Sequence, residues 1–120
     1  MNSKRAFLTL CGDAIAPRFD MTAEGCMVSL ESLGEQSGTS LKDAANHLIL
    51  AHTSSEELCD VIIKSGVSVV VCCGIEEDYY HYLRWKRIEV IADVAGPLDK
   101  VLERLGSGAL QTGDCLFDRP

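Results

Sequence analysis

The sequence predicts an α/β domain of three layers, a sheet covered by helices on both faces. Three observations lead there. The second half alternates short apolar runs with amphipathic segments, the pattern of a β-α-β-α chain. The run 67–72, Val-Ser-Val-Val-Val-Cys, is β-branched and lacks a polar face, as a strand buried on both sides does. The chain has 120 residues, enough for one domain with a real core, and shows no internal repeat and no second domain.

The elements follow in order. Residues 5–11 read as the first strand. A basic start precedes them, but the apolar run meets Cys11-Gly12-Asp13 at once, which suits a strand better than a signal peptide. Residues 26–31 read as the second strand. Residues 32–45 are polar and contain glycine, so they read as a loop or mobile excursion. Residues 46–51 read as the third strand. Ser54-Ser-Glu-Glu57 has the capping-box pattern and opens a helix with apolar residues at Leu58, Cys59, Ile62 and Ile63. That helix stops at Ser65-Gly66.

Strand 67–72 comes next. Helix 76–86 carries three acids in its first turn and bases in its last, which complements the helix dipole. Residues 88–92 form a further strand. Pro97 is expected at the first position of the last helix, where its missing N–H costs nothing. That helix buries Leu98, Val101, Leu102 and Leu105 and stops at Gly106. The tail 107–120 is expected to be flexible. The order is β-β-β-α-β-α-β-α. The second half needs right-handed crossovers and a parallel sheet, with the first half as an antiparallel extension. Strands 5–11 and 67–72 are expected as parallel neighbours at the sheet centre.

Composition excludes several functions. The net charge is −7, which argues against a nucleic-acid surface. No apolar run approaches the roughly 20 residues needed to span a bilayer, so no membrane partner is expected. Six cysteines, with no C-x-x-C and no compact framework, fit a reduced, cytoplasmic compartment better than disulfides or a zinc knuckle. Cys26 and Cys59 are expected in the core, and Cys115 in the exposed tail. No nucleotide-binding glycine motif and no catalytic triad order is present.

Two stretches carry candidate chemistry. Both leave the carboxyl ends of expected central strands, where ligands of α/β folds sit. Cys11-Gly-Asp-Ala-Ile-Ala-Pro-Arg-Phe-Asp20 offers a thiol, a guanidinium and two carboxylates. The plainer reading makes it a β–β connection with Phe19 plugging the core. Cys72-Cys73-Gly74 places two thiols at a strand end, pointing to opposite sides. Gly74 permits positive φ or a close backbone approach. The acids at Glu76, Glu77 and Asp78 disfavour phosphate at the following helix. Cys72 is expected to pack, and Cys73 to face a crevice opposite Arg18.

In this order and spacing the motifs resemble the dinitrogenase iron–molybdenum cofactor biosynthesis family. The residues are Ile15-Ala-Pro-Arg-Phe-Asp20, Val69-Val-Val-Cys-Cys-Gly-Ile75, Gly96-Pro-Leu-Asp-Lys-Val-Leu-Glu103 and Ser107-Gly-Ala-Leu110. The resemblance implies a ribonuclease H-like α/β/α fold with a mixed five-stranded sheet. It implies a protein that binds or carries an iron–sulfur or iron–molybdenum-type cluster, or its precursor, and does no chemistry on it. Arg18 stands where nitrogenase-associated members have histidine, and Asp20 where they have glycine, so the chain resembles the stand-alone branch.

On this reading the ligand contacts fall to Gly12, Arg18, Phe19, Asp20 and Gly74, and thiolate ligands to Cys73 and Cys11. Arg18 cannot ligate a metal, but it can hold an anion by charge-assisted hydrogen bonds. The partners would be cluster donor or acceptor proteins. The alternative is a regulatory or adaptor domain that binds a protein partner without metal, through 32–45 and the tail. A two-metal nuclease, suggested by fold class alone, lacks a carboxylate inside strand 5–11.

Overall fold

A computed structural model describes residues 4–35, 46–50 and 54–117. The chain runs β1 (Arg5–Cys11), β2 (Ala14–Ile15), a 3₁₀ turn (Phe19–Met21), β3 (Glu24–Ser29), α1 (Leu30–Glu35), β4 (Asn46–Ile49), α2 (Ser55–Lys64), β5 (Val69–Val71), α3 (Glu77–Trp85), β6 (Glu89–Ile91) and α4 (Leu98–Gly106).

The six strands form one mixed sheet. Its main path is β4-β3-β1-β5-β6, with β2 paired to the far end of β1. The first half is antiparallel, with Leu8 opposite Cys26 and Cys26 opposite His47. The second half is parallel, with Leu8 beside Val71 and Val71 beside Ile91. β1 and β5 are thus neighbours inside the sheet, as two largely apolar strands require.

Alternation along β1 sorts the core into two layers. Ala6, Leu8 and Leu10 face one side, with Leu33 of α1 and Val101 and Leu102 of α4. Phe7 faces the other, with Leu58 and Ile62 of α2 and Leu83 of α3. The only fully buried polar residue of β1, Thr9, turns its hydroxyl toward the Val71 carbonyl at 3.5 Å. Among the described residues no helix is long and apolar enough to cross a membrane.

Four expectations need correction. Residues 30–35 form α1 where the sequence suggested strand end and loop, because Leu33 packs closely on Gly106 of α4. The rest of the expected loop, 36–45, and position 51 lie outside the described residues. Pro97 is the N-cap of α4, with extended φ −65° and ψ 145°, and Leu98 is the first helical residue. The tail is docked as far as residue 117: Leu116 donates to Ala95 at 2.7 Å, Gly113 donates to Ala92 at 3.0 Å, and Leu110 is buried. Strand β2 was not foreseen and makes the sheet six-stranded, not five-stranded.

Candidate functional site at the carboxyl ends of the central strands

β1 outruns β5. Its last residues turn back on themselves through the two-residue turn Gly12-Asp13, which brings Ala14 opposite Cys11. Gly12 takes φ +64°, the left-handed conformation that such a turn demands. The returning strand β2 is then held by the start of α4. Ile15 donates to the Gly96 carbonyl at 3.1 Å, and Leu98 donates to the Asp13 carbonyl at 2.7 Å.

After β2 the chain crosses to the end of β5. Gly74 donates to the Pro17 carbonyl at 3.0 Å, and Phe19 donates to the Gly74 carbonyl at 2.6 Å. A Cβ on Gly74 would lie 3.0 Å from the Pro17 oxygen. Close approach, not positive φ, is therefore what this glycine supplies. The two stretches singled out in the sequence do meet, although more than fifty residues separate them. They are joined by the backbone hydrogen bonds that Pro17 and Phe19, on either side of Arg18, make with Gly74.

Phe19 anchors this joint. It is 1% exposed and packs in the α2–α3 layer of the core. Its ring fixes the loop from below, as the plainer reading of this stretch has it. The Thr22 hydroxyl, also buried, donates to the Arg18 carbonyl at 2.9 Å. The backbone of Arg18 is therefore pinned from both sides.

The Arg18 side chain stays outside, 67% exposed. Its Nε donates to Asp20 Oδ1 at 3.0 Å and its Nη2 to Asp20 Oδ2 at 2.7 Å. This is the two-point fork geometry that guanidinium and carboxylate favour. Gly12 is less available than its place suggested. Its flank is open, but its N–H donates to Glu24 Oε2 at 3.1 Å, and that carboxylate repels an anion.

The thiols divide as their burial dictates. All six are free. Cys72 is fully buried in the α2–α3 layer, and burial, helped by Cys73 and Asp93, pushes its thiol up to about 12. Burial likewise pushes Cys26 up to about 12, and burial with Asp60 pushes Cys59 up to about 11. These three are packing groups. Cys73 is half-buried against the opposite layer, the one formed with α1 and α4, and its carbonyl accepts from Asp93 at 3.1 Å. Cys11 lies exposed at the base of the Gly12-Asp13 turn. Among the described residues no three His, Cys, Asp or Glu side chains form a group able to hold a metal ion.

Asp93 was missed in the sequence. It lies two residues past the end of β6, beside the Cys72–Cys73 turn, and holds φ +56°, a conformation that Asp tolerates better than most residues. The signal was the step from an apolar strand to Asp-Val-Ala-Gly-Pro. A groove of about 630 Å³ lies elsewhere, between α2 and α3, lined by Glu56, Glu57, Asp60, Glu76 and Asp78 with Tyr79 and Tyr82. Desolvation and then the Glu56 and Glu76 carboxylates raise the Tyr79 phenol above its ordinary range. So acidic a groove repels anions.

No protein-family model and no curated protein matches the chain in sequence. Solved structures do match in fold. The chain is similar to PH0822 with a TM-score of 0.74 at 19% identity, over 90% of this chain and 93% of that one. It is similar to a putative dinitrogenase from Methanocaldococcus jannaschii with a TM-score of 0.67 at 18% identity, over 92% and 95%. It is similar to the apo form of the orange protein from Desulfovibrio gigas with a TM-score of 0.67 at 20% identity, over 92% and 93%. The motifs resemble a dinitrogenase-related family, and one of the structures that share the fold is named a putative dinitrogenase. At these identities what the chain shares with its members is the fold, over nearly its whole length.

Proposed function

We propose that the chain is a non-enzymatic carrier or binding protein for an anionic metal–sulfur cluster, of iron–sulfur or iron–molybdenum type, or for its precursor. The observation that carries this is Arg18. It is an exposed cation on a protein of net charge −7, pinned by backbone bonds at the carboxyl end of the central parallel strands. Acidic proteins repel anions globally, so a local fixed cation is what an anionic guest requires.

The donor set fits a guest that brings its own sulfide ligands. Arg18 would pair with its charge, and Cys73 would add at most one thiolate. Cys11 would be a second thiolate only if the β1–β2 turn folds inward. Gly74 allows the two loops to close up beneath the guest, and Phe19 holds them there. On this reading the chain holds its guest and does no chemistry on it. The strand order, with β1 and β5 parallel at the centre and an antiparallel flank, supports reading the fold as ribonuclease H-like. The likeness to the apo form of an orange protein, a name that speaks of colour, supports the carrier reading. The place of action would be the cytoplasm, between a cluster donor and a cluster acceptor.

The test is visible absorption and metal analysis of protein purified without oxygen. A cluster carrier absorbs in the visible and contains metal in near-stoichiometric amount. A colourless, metal-free protein that also takes up nothing on reconstitution defeats the reading and favours a protein-binding adaptor.

A further inference from the structure

We propose that Asp20 is a tethered competitor for the cargo's place on Arg18 and sets the least charge a cargo must carry. This rests on the reading of Arg18 as the cargo's cation. Asp20 occupies two of the five guanidinium N–H donors, those on Nε and Nη2, at 3.0 and 2.7 Å. The 3₁₀ turn Phe19–Met21 places Asp20 two residues along, on a segment that cannot drift away. Phe19 is locked in the core, the Arg18 carbonyl is held by Thr22, and the residues on either side of Arg18 are bonded to Gly74. The carboxylate therefore stays within reach of the fork at all times.

A short tether gives a partner an effective concentration in the millimolar range or above. A free monoanion offers the fork no more charge than Asp20 does, and it loses translational freedom on binding. It does not displace Asp20. A dianion or polyanion attracts the guanidinium about twice as strongly and repels the carboxylate. Turning Asp20 out then costs little, because its side chain is already partly exposed and such pairs contribute weakly. The site therefore ignores common monoanions and accepts multiply charged guests. Asp20 is a specificity-determining residue and not a ligand.

The test uses wild type, Asp20→Asn and Arg18→Ala, with tetrathiomolybdate as a dianionic metal–sulfur probe and acetate as a monoanion. Binding is followed by isothermal titration and by the Arg18 Nε–H signal in ¹⁵N NMR, after thermal melts show that each variant is folded. Asp20→Asn should bind the dianion more tightly by up to about fivefold, the range that removing a surface pair supports. It should also gain an acetate response that wild type lacks. If wild type binds the dianion, Arg18→Ala loses it, and Asp20→Asn changes neither affinity nor acetate response, the competitor role is overturned while the carrier reading stands. If neither wild type nor Asp20→Asn binds the dianion, both fall.

Discussion

The Phe19 N–H and the Gly74 carbonyl lie 2.6 Å apart, and the reverse bond from Gly74 to Pro17 spans 3.0 Å. These bonds tie the loop after β1 to the end of β5, and everything proposed for Arg18 depends on them. Replacing Gly74 by Val should break the tie, because its side chain must enter space held by the Pro17 carbonyl. Stability should fall by about 1–3 kcal/mol, as for an overpacked site. Hydrogen exchange should show the Phe19 amide losing protection first. An unchanged Phe19 exchange rate in that variant would show that the loop is held by other contacts.

Phe19 and Arg18 are neighbours with opposite roles. Phe19→Ala empties a core site and should cost about 3–5 kcal/mol in urea unfolding. Arg18→Ala removes an exposed pair and should cost under about 1 kcal/mol. Comparable losses in the two variants would contradict the division between anchor and cation.

The alkaline limit of stability should follow the buried thiols. Cys26 and Cys72 have folded values near 12 against an ordinary 9.0, and neither is exposed. Above about pH 9 the unfolded chain gives up these protons and the folded chain keeps them. The folded state is then penalised: the stabilisation is whole below pH 9 and fades toward pH 12. The slope approaches about 1.4 kcal/mol per pH unit for each thiol. Melting temperature against pH should show the decline setting in near pH 9, and Cys72→Ala should make it shallower. A flat profile between pH 9 and 11 would refute it.

Thiol labelling of the native protein should sort the six cysteines. Cys11 and Cys115, both exposed, should react first, Cys73 more slowly, and Cys26, Cys59 and Cys72 only on unfolding. Mass spectrometry of labelled peptides reads the order. Early modification of Cys59 would show that α2 presents a different face.

Much of this fold was legible because strong local signals agreed with the tertiary outcome. The β-branched run at Val69–Val71 allowed only a buried strand. Ser54 does cap α2, accepting from the Glu57 N–H at 3.2 Å. Helix α1 was hidden because Leu30-Glu-Ser-Leu-Gly-Glu35 is short, holds a glycine and has only two apolar residues. It exists because Leu33 finds Gly106, a partner some seventy residues away. Strand β2 was hidden for a like reason: two residues carry no period, and their bonds go to β1 and to Gly96. At the site, the types of Arg18, Cys73 and Gly74 were readable as chemistry. That Asp20 already holds Arg18, and that the Gly12 N–H is spent on Glu24, depended on side-chain geometry that no spacing encodes.

The central claim is that an anionic metal–sulfur guest sits on Arg18 beside Cys73. Metal-to-protein ratio after anaerobic reconstitution tests it most directly, measured for the parent, Arg18→Ala, Cys73→Ser and Cys72→Ser. The account predicts near-stoichiometric metal in the parent, most of it lost in Arg18→Ala and part of it in Cys73→Ser. Cys72→Ser should keep its metal but melt lower, because it buries a hydroxyl. Equal metal in all four proteins, or none in the parent, would contradict it.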